Sequence, residues 1–381
     1  MRATGSLVPR LSLLLALAGL PTPTRAQQCE WSALGSGMNN SVRALTVFDD
    51  GSGLALYAGG TFTVAGGVDS ARIAKWDGTQ WSPLGWGLNG SVRALTVFDD
   101  GSGPALYAGG NFAIAGSVRA SRIAKWDGTQ WSALAGGTNG TVRALMAFDD
   151  GGGAALYAGG DFTVAGDVEA TFIAKWDGTQ WSAIAGGMDN VVHQLTTFDD
   201  GGGSALYAGG VFMTAGGVPT NFIAKWDGAQ WSALGSGTNQ PVRALTVFDD
   251  GGGLALYAGG AFSRAGGLPA NSIAKWDGAQ WSALGSGTSS LIAALTVFDD
   301  GSGPALYAGG DFSHAGGEDA HRIARWDGAQ WSPLGNGTDS TVWALTAFDD
   351  GGGPALFAGG DFATAGSAVV NRIAAWRCAA P

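Results

Sequence analysis

The chain has 381 residues, 67 of them glycine, and its 31 acidic against 20 basic side chains give a formal net charge of −11. That charge argues against nucleic acid or an anionic membrane as the partner. So many glycines, set at fixed intervals, exclude a mostly helical protein and mark turns.

The first 26 residues read as a secretory signal peptide. Arg2 and Arg10 precede an apolar run over 11–20 that is too short for a membrane helix, and Ala26 supplies a small residue at the cut. Cleavage removes Arg2, Arg10 and Arg25 and no acid, so the mature chain from Gln27 carries a net charge of −14. It is expected to be extracellular or periplasmic and monomeric. No later stretch is apolar enough for a membrane span.

From Trp31 onward a unit of fifty residues is written seven times without insertion or deletion. One tryptophan column runs through Trp31, Trp81, Trp131, Trp181, Trp231, Trp281 and Trp331, and a second through Trp76 to Trp376. A fixed period of this length is the mark of stacked units that cannot bury their apolar faces alone. Within one unit, VRALTVF at 42–48 reads as a strand, FDDGSG as a turn, ALYAGG as a strand apolar on both faces, and TFTVAGGVDSAR as a longer loop. IAKW, an Asp77-Gly78 turn and WSPLG complete it as a hairpin. Pro83 and Pro333 fall inside the fourth strand, and proline lacks the ladder donor, so that strand belongs at the outer edge and the first strand innermost. The fold class expected is all-β: a seven-bladed β-propeller of four-stranded antiparallel blades occupying 27–381.

The two ends argue for closure. Cys29 opens a fourth strand with no blade in front of it, and Cys378 ends a third strand with no fourth strand after it. In repeat register the two cysteines occupy the place of the missing hairpin turn. A Cys29–Cys378 disulfide is expected there, in the oxidising compartment a signal peptide implies.

The segment ALYAGG…IAKWDGTQWSPL resembles the kelch-type propeller repeat over essentially the whole mature chain. It is also similar to the extracellular propellers of fungal cortical polarity markers and to related bacterial secreted repeat proteins. The resemblance implies the same blade order and closure by an N-terminal outer strand. Copper oxidases with kelch-type blades use a Tyr/His/Cys set, whereas this chain has three His and only the two cysteines assigned to closure.

Comparing the seven copies separates a constant from a variable face. The FDDG and WDG turns lie together on one face and carry 20 of the 31 carboxylates. Calcium is the tempting occupant, but the turns lack the alternating acids of a calcium loop, and aspartate in a turn ordinarily caps its own backbone. No cofactor is expected. The opposite face varies, at Thr61, Asn111, Asp161, Val211, Ala261, Asp311 and Asp361, and at the start of the inner strand, where Arg43, Arg93, Arg143, His193, Arg243, Ala293 and Trp343 follow one another. Arg43, Arg93, Arg143, His193, Arg243, Trp343 and Trp86 are the candidate ligand-binding residues, the cations for an anionic group and the tryptophans for stacking. The competing expectation is that the arginines pair with Asp161, Asp311 and Asp361.

Asp311, His314, Glu318, Asp319 and His321 share one loop without the spacing of an established metal site. Asn39, Asn89, Asn139 and Asn336 stand in glycosylation sequons. No catalytic set assembles from residues unique to one blade. The function expected is a secreted, non-catalytic binding or adhesion module for a glycan or an extracellular protein. The alternative is a channel-mouth enzyme, a hydrolase, lyase or oxidase.

Overall fold

The structure is a computed structural model that describes Met1 and residues 29–378. Residues 2–28, which hold nearly all of the expected signal peptide, lie outside the described residues. The first blade contains, from the inside outward, Val42–Asp49, Leu54–Gly60, Ile73–Trp76 and Trp81–Pro83, all antiparallel. Seven such sheets form the ring, and the last is completed by Cys29–Ala33 lying beside Ile373–Cys378.

Apolar side chains are sealed between blades and not within them. Phe48, Tyr57 and Ile73 of the first blade meet Val92, Leu106 and Trp126 of the second. Leu34, Val42 and Leu56 meet Phe357 and Ile373 across the ring closure. The second strand is therefore buried along its length beyond its first residue, while the inner strand is half-open because its other face lines the channel. Full burial of each such Leu, Ile or Phe contributes about 1.5–3 kcal/mol, so the blade interfaces hold the ring together.

Close approach, between blades at Gly59 and within the blade at Gly60, explains the Gly-Gly that ends the second strand. A Cβ at Gly59 would meet Val92 Cγ1 at 2.5 Å, in the next blade, and one at Gly60 would meet the carbonyl oxygen of Ser41 at 2.0 Å. Gly78 carries a φ of 98°, and its Cβ would strike the Asp350 carbonyl at 2.2 Å. The WDG turn of one blade thus rests on the FDDG turn of the blade before it, which puts both turns on one face.

The tryptophan columns also join blades. Trp76 and Trp81 pack as a tilted pair with centroids 5.3 Å apart. Trp81 Nε1 donates to the Leu34 carbonyl at 3.0 Å, and Trp31 Nε1 to the Leu334 carbonyl at 3.2 Å, so the ladder runs through the closure. There the strand pairing extends two residues past Trp31 and Trp376, through Glu30 with Arg377 to Cys29 with Cys378, which form the disulfide.

The long loop holds an element that the sequence reading passed over: Val64–Ala65 and Val68–Asp69 form a miniature hairpin, repeated in every blade. Gly66 and Gly67, with φ of 60° and 84°, make its turn. An isolated bridge from Met38 to Ala65 ties the hairpin to the segment leading into the inner strand. Among the described residues no helix is long and apolar enough to cross a membrane.

Candidate functional site: the channel mouth

The position occupied by Arg43 is the extra residue of a β-bulge. Val42 pairs with Gly60 and Ala44 with Gly59, leaving residue 43 without a partner, and the same shift recurs in all seven inner strands. A bulge re-aims the unpaired side chain and interrupts the ladder. Arg43, Arg93, Arg143, His193, Gln194, Arg243, Ala293 and Trp343 accordingly line one cavity of about 140 Å³ at the variable end of the channel. Below it, alanines and leucines such as Ala44, Leu45, Ala94 and Leu95 line the channel wall.

Six of the seven candidate binding residues meet at this mouth. Trp86 does not: it stands in a turn between Gly85 and Gly87, beyond the outer strand, with 88% of its surface exposed. The turn is on the same face but at the rim, because residue 86 follows the outer strand and not the second one.

The expected pairing of arginine with aspartate holds for two of the four mouth arginines. Arg143 makes a bidentate ion pair with Asp161, whose second bond, Nη2 to Oδ2, is 2.7 Å. Arg43 lies 4.5 Å from the Trp343 ring centroid and 3.7 Å from Asp361, which also accepts a 2.7 Å bond from Trp343 Nε1. Among the described residues Arg93 and Arg243 form no ion pair, and Asp311 turns instead to Arg322 at 3.9 Å. Burial, with the nearby charges of Arg143 and Arg43, pulls Arg93 below the usual guanidinium range. Burial and Arg143 do the same to Arg243. His193 is lowered from 6.5 to about 3, first by burial and then by Arg243 and Arg143, so its imidazole is neutral at physiological pH. Arg93 Nε and His193 Nε2 are buried without a hydrogen-bond partner.

The acids of the constant face have structural partners. Asp49 Oδ1 accepts the backbone N–H of Gly51 and Gly53, and Asp77 Oδ1 those of Thr79 and Gln80. Asp50 accepts Lys75 Nζ at 2.7 Å and Tyr57 Oη at 2.8 Å. The same carboxylate–cation pair recurs in each blade, with Arg325 and Arg377 as the cations of the last two. Among the described residues no group of three His, Cys, Asp or Glu side chains converges as metal ligands.

Two further placements concern residues singled out in the sequence. Asn39 Oδ1 accepts the N–H groups of Thr63 and Val64, and its Nδ2 donates to Thr63 Oγ1, so this sequon asparagine pins the miniature hairpin. Asn139 does the same for Thr163 and Val164. In the sixth blade Ser313 Oγ lies 2.8 Å from His314 Nδ1, and His314 Nε2 lies 3.1 Å from Asp319. The order Ser–His–Asp is that of a catalytic triad, which the sequence alone did not assemble. A triad needs its aspartate buried and its imidazole shielded, whereas the Asp319 and His314 side chains here are 82% and 51% exposed.

The family model for the Rax2 C-terminal beta propeller domain matches residues 87–250. A comparison with curated proteins returns no match. Among solved structures, the chain is similar to the extracellular domain of a protein described as a one component system from B. thetaiotaomicron, with 12% identity, a TM-score of 0.56, and coverage of 92% of this chain and 40% of that one. A second, the extracellular domain of a hybrid two component system so described from the same organism, gives 14% identity, a TM-score of 0.51, and coverage of 92% and 39%. The chain spans about two fifths of the length of these structures, and the likeness at such identity is one of fold.

Proposed function

We propose that residues 27–381 form a secreted or periplasmic recognition module, non-catalytic, that presents the channel mouth and its surrounding loops to a glycan or an extracellular protein. The observation that carries this reading is the seven-fold bulge. A scaffold repeated almost without change places one bulged side chain per blade, arginine in four blades and a different residue in each of the other three, around a common opening, which is how a rigid frame displays a binding surface. The kelch-like repeat signature and the extracellular character of the structures it resembles are in keeping with it. Binding through several similar blades needs no single convergent catalytic set.

The test is a glycan and extracellular-protein screen of the purified chain and of two variants. R93A/R243A is expected to lose at least tenfold in affinity for any captured partner, and W86A to lose less than threefold. Equal losses would remove the mouth as the site. Turnover of a substrate that vanishes on changing one residue would establish the enzyme instead.

A further inference from the structure

We propose that the mouth binds a single small oxyanion group, a carboxylate or a sulfate, held between Arg93, His193 and Arg243. The inference rests on the recognition reading above and names the chemistry that such a site takes. Five of the seven bulge residues are Arg or His, and the aspartates of the neighbouring loops match only some of them. Asp161 stands in the blade of Arg143 and Asp361 beside Arg43, but the corresponding positions in the blades of Arg93 and Arg243 are Asn111 and Ala261. Among the described residues these two guanidinium groups therefore lack an ion pair of their own, with Asp161 acting on Arg93 only at longer range, in a half-enclosed cavity that also holds an imidazole whose buried Nε2 has no partner there.

The guanidinium groups repel one another and the buried Nε–H of Arg93 has no acceptor among the described residues, and an oxyanion relieves both. The size agrees. A cavity of about 140 Å³ has room for one carboxylate or sulfate group with a few waters. Ala293, in the blade next to Arg243, and Trp343 complete the ring and give an apolar wall for the organic part of a carboxylate ligand. The charged groups acting on His193 are Arg93, Arg143 and Arg243, opposed by Asp161 alone. An anion seated beside the imidazole offsets those charges but not the burial that acts first on His193, so the ring stays neutral and binding changes little between pH 7 and pH 5.

Sodium sulfate and sodium glucuronate are titrated separately into the full chain at constant ionic strength, by calorimetry and by NMR of the three histidine imidazoles. At least one is expected to shift the His193 resonances selectively, leaving His314 and His321 in place, with similar affinity at pH 7 and pH 5. Whichever binds identifies the group. R93M and R243M are each expected to weaken binding at least tenfold, with R119M unchanged. If R93M fails to fold, the His193 shift in the unaltered chain decides.

The proposal is overturned if neither anion moves His193, or if R93M and R243M bind like the parent. Mouth variants that lose a screened partner while neither anion binds would overturn the oxyanion and leave the recognition reading standing. Anion binding at His193 with every screened partner indifferent to R93A/R243A would uphold the oxyanion and remove the broader reading.

Discussion

Adjacent aspartates in one turn serve different ends here. Asp49 is a backbone cap, whereas Asp50 points back under the turn to Lys75 and Tyr57. Burial by itself would raise the Asp50 carboxyl, but hydrogen bonds from Lys75, Ser52 and Tyr57 outweigh it and hold the group at about 2, as also at Asp100. D50A removes the acceptor from a charged donor and a buried phenol, and should cost about 2–3 kcal/mol, read as a lower urea midpoint. An unchanged midpoint would show the cluster to be decorative. A carboxyl lowered in the fold stays ionised there while the unfolded chain takes up protons, so stability present above about pH 4 is lost as the pH falls toward 2. His193, held neutral, adds a shallower loss from 6.5 down toward 3, because only the unfolded chain accepts that proton. Urea midpoints against pH should therefore slope gently below 6.5 and steeply below 4, with H193Q removing the gentle part. A flat profile down to pH 3 would contradict both assignments.

Strands and turns were legible to different degrees. Strand order followed from where proline is tolerated, and the shared face of the FDDG and WDG turns from antiparallel topology, whereas their direct contact between blades did not show. G59A tests the blade contact: its methyl group would enter the space of Val92 Cγ1, so it should destabilise by about 1–3 kcal/mol, whereas alanine at the exposed Ser132 should be neutral. Equal effects would mean that the blades are not packed this tightly. The bulge escaped the sequence because an extra residue present in every copy leaves no gap in a self-alignment. The miniature hairpin escaped because strands of two residues show no alternation, although the Gly-Gly at 66 and 67 was a usable turn signal. The Asp50–Lys75 pair had a readable trace in the closing blade, where the lysine becomes Ala375 and Arg377 donates to Asp350 instead. The free mouth arginines were not separable from the paired ones by sequence, since their partners come from loops 18 residues away or from the adjoining blade.

At the scale of the whole ring, closure and recognition are the two claims. The disulfide spans 349 residues, and a chain-entropy estimate for so long a loop is about 6 kcal/mol as an upper bound. C29S/C378S should lower the unfolding temperature while keeping the blade count, since the strand pairing and the Trp31 contacts remain; an unaltered melting curve would show the covalent closure to be redundant. Recognition is tested most directly by diffraction from crystals grown with selenate, whose anomalous scattering locates the ion. The account predicts a selenate peak at the mouth, bounded by Arg93, His193 and Arg243, in a closed ring of seven blades. Selenate found only at the rim or among the FDDG and WDG turns, with the mouth free of it, would contradict the account.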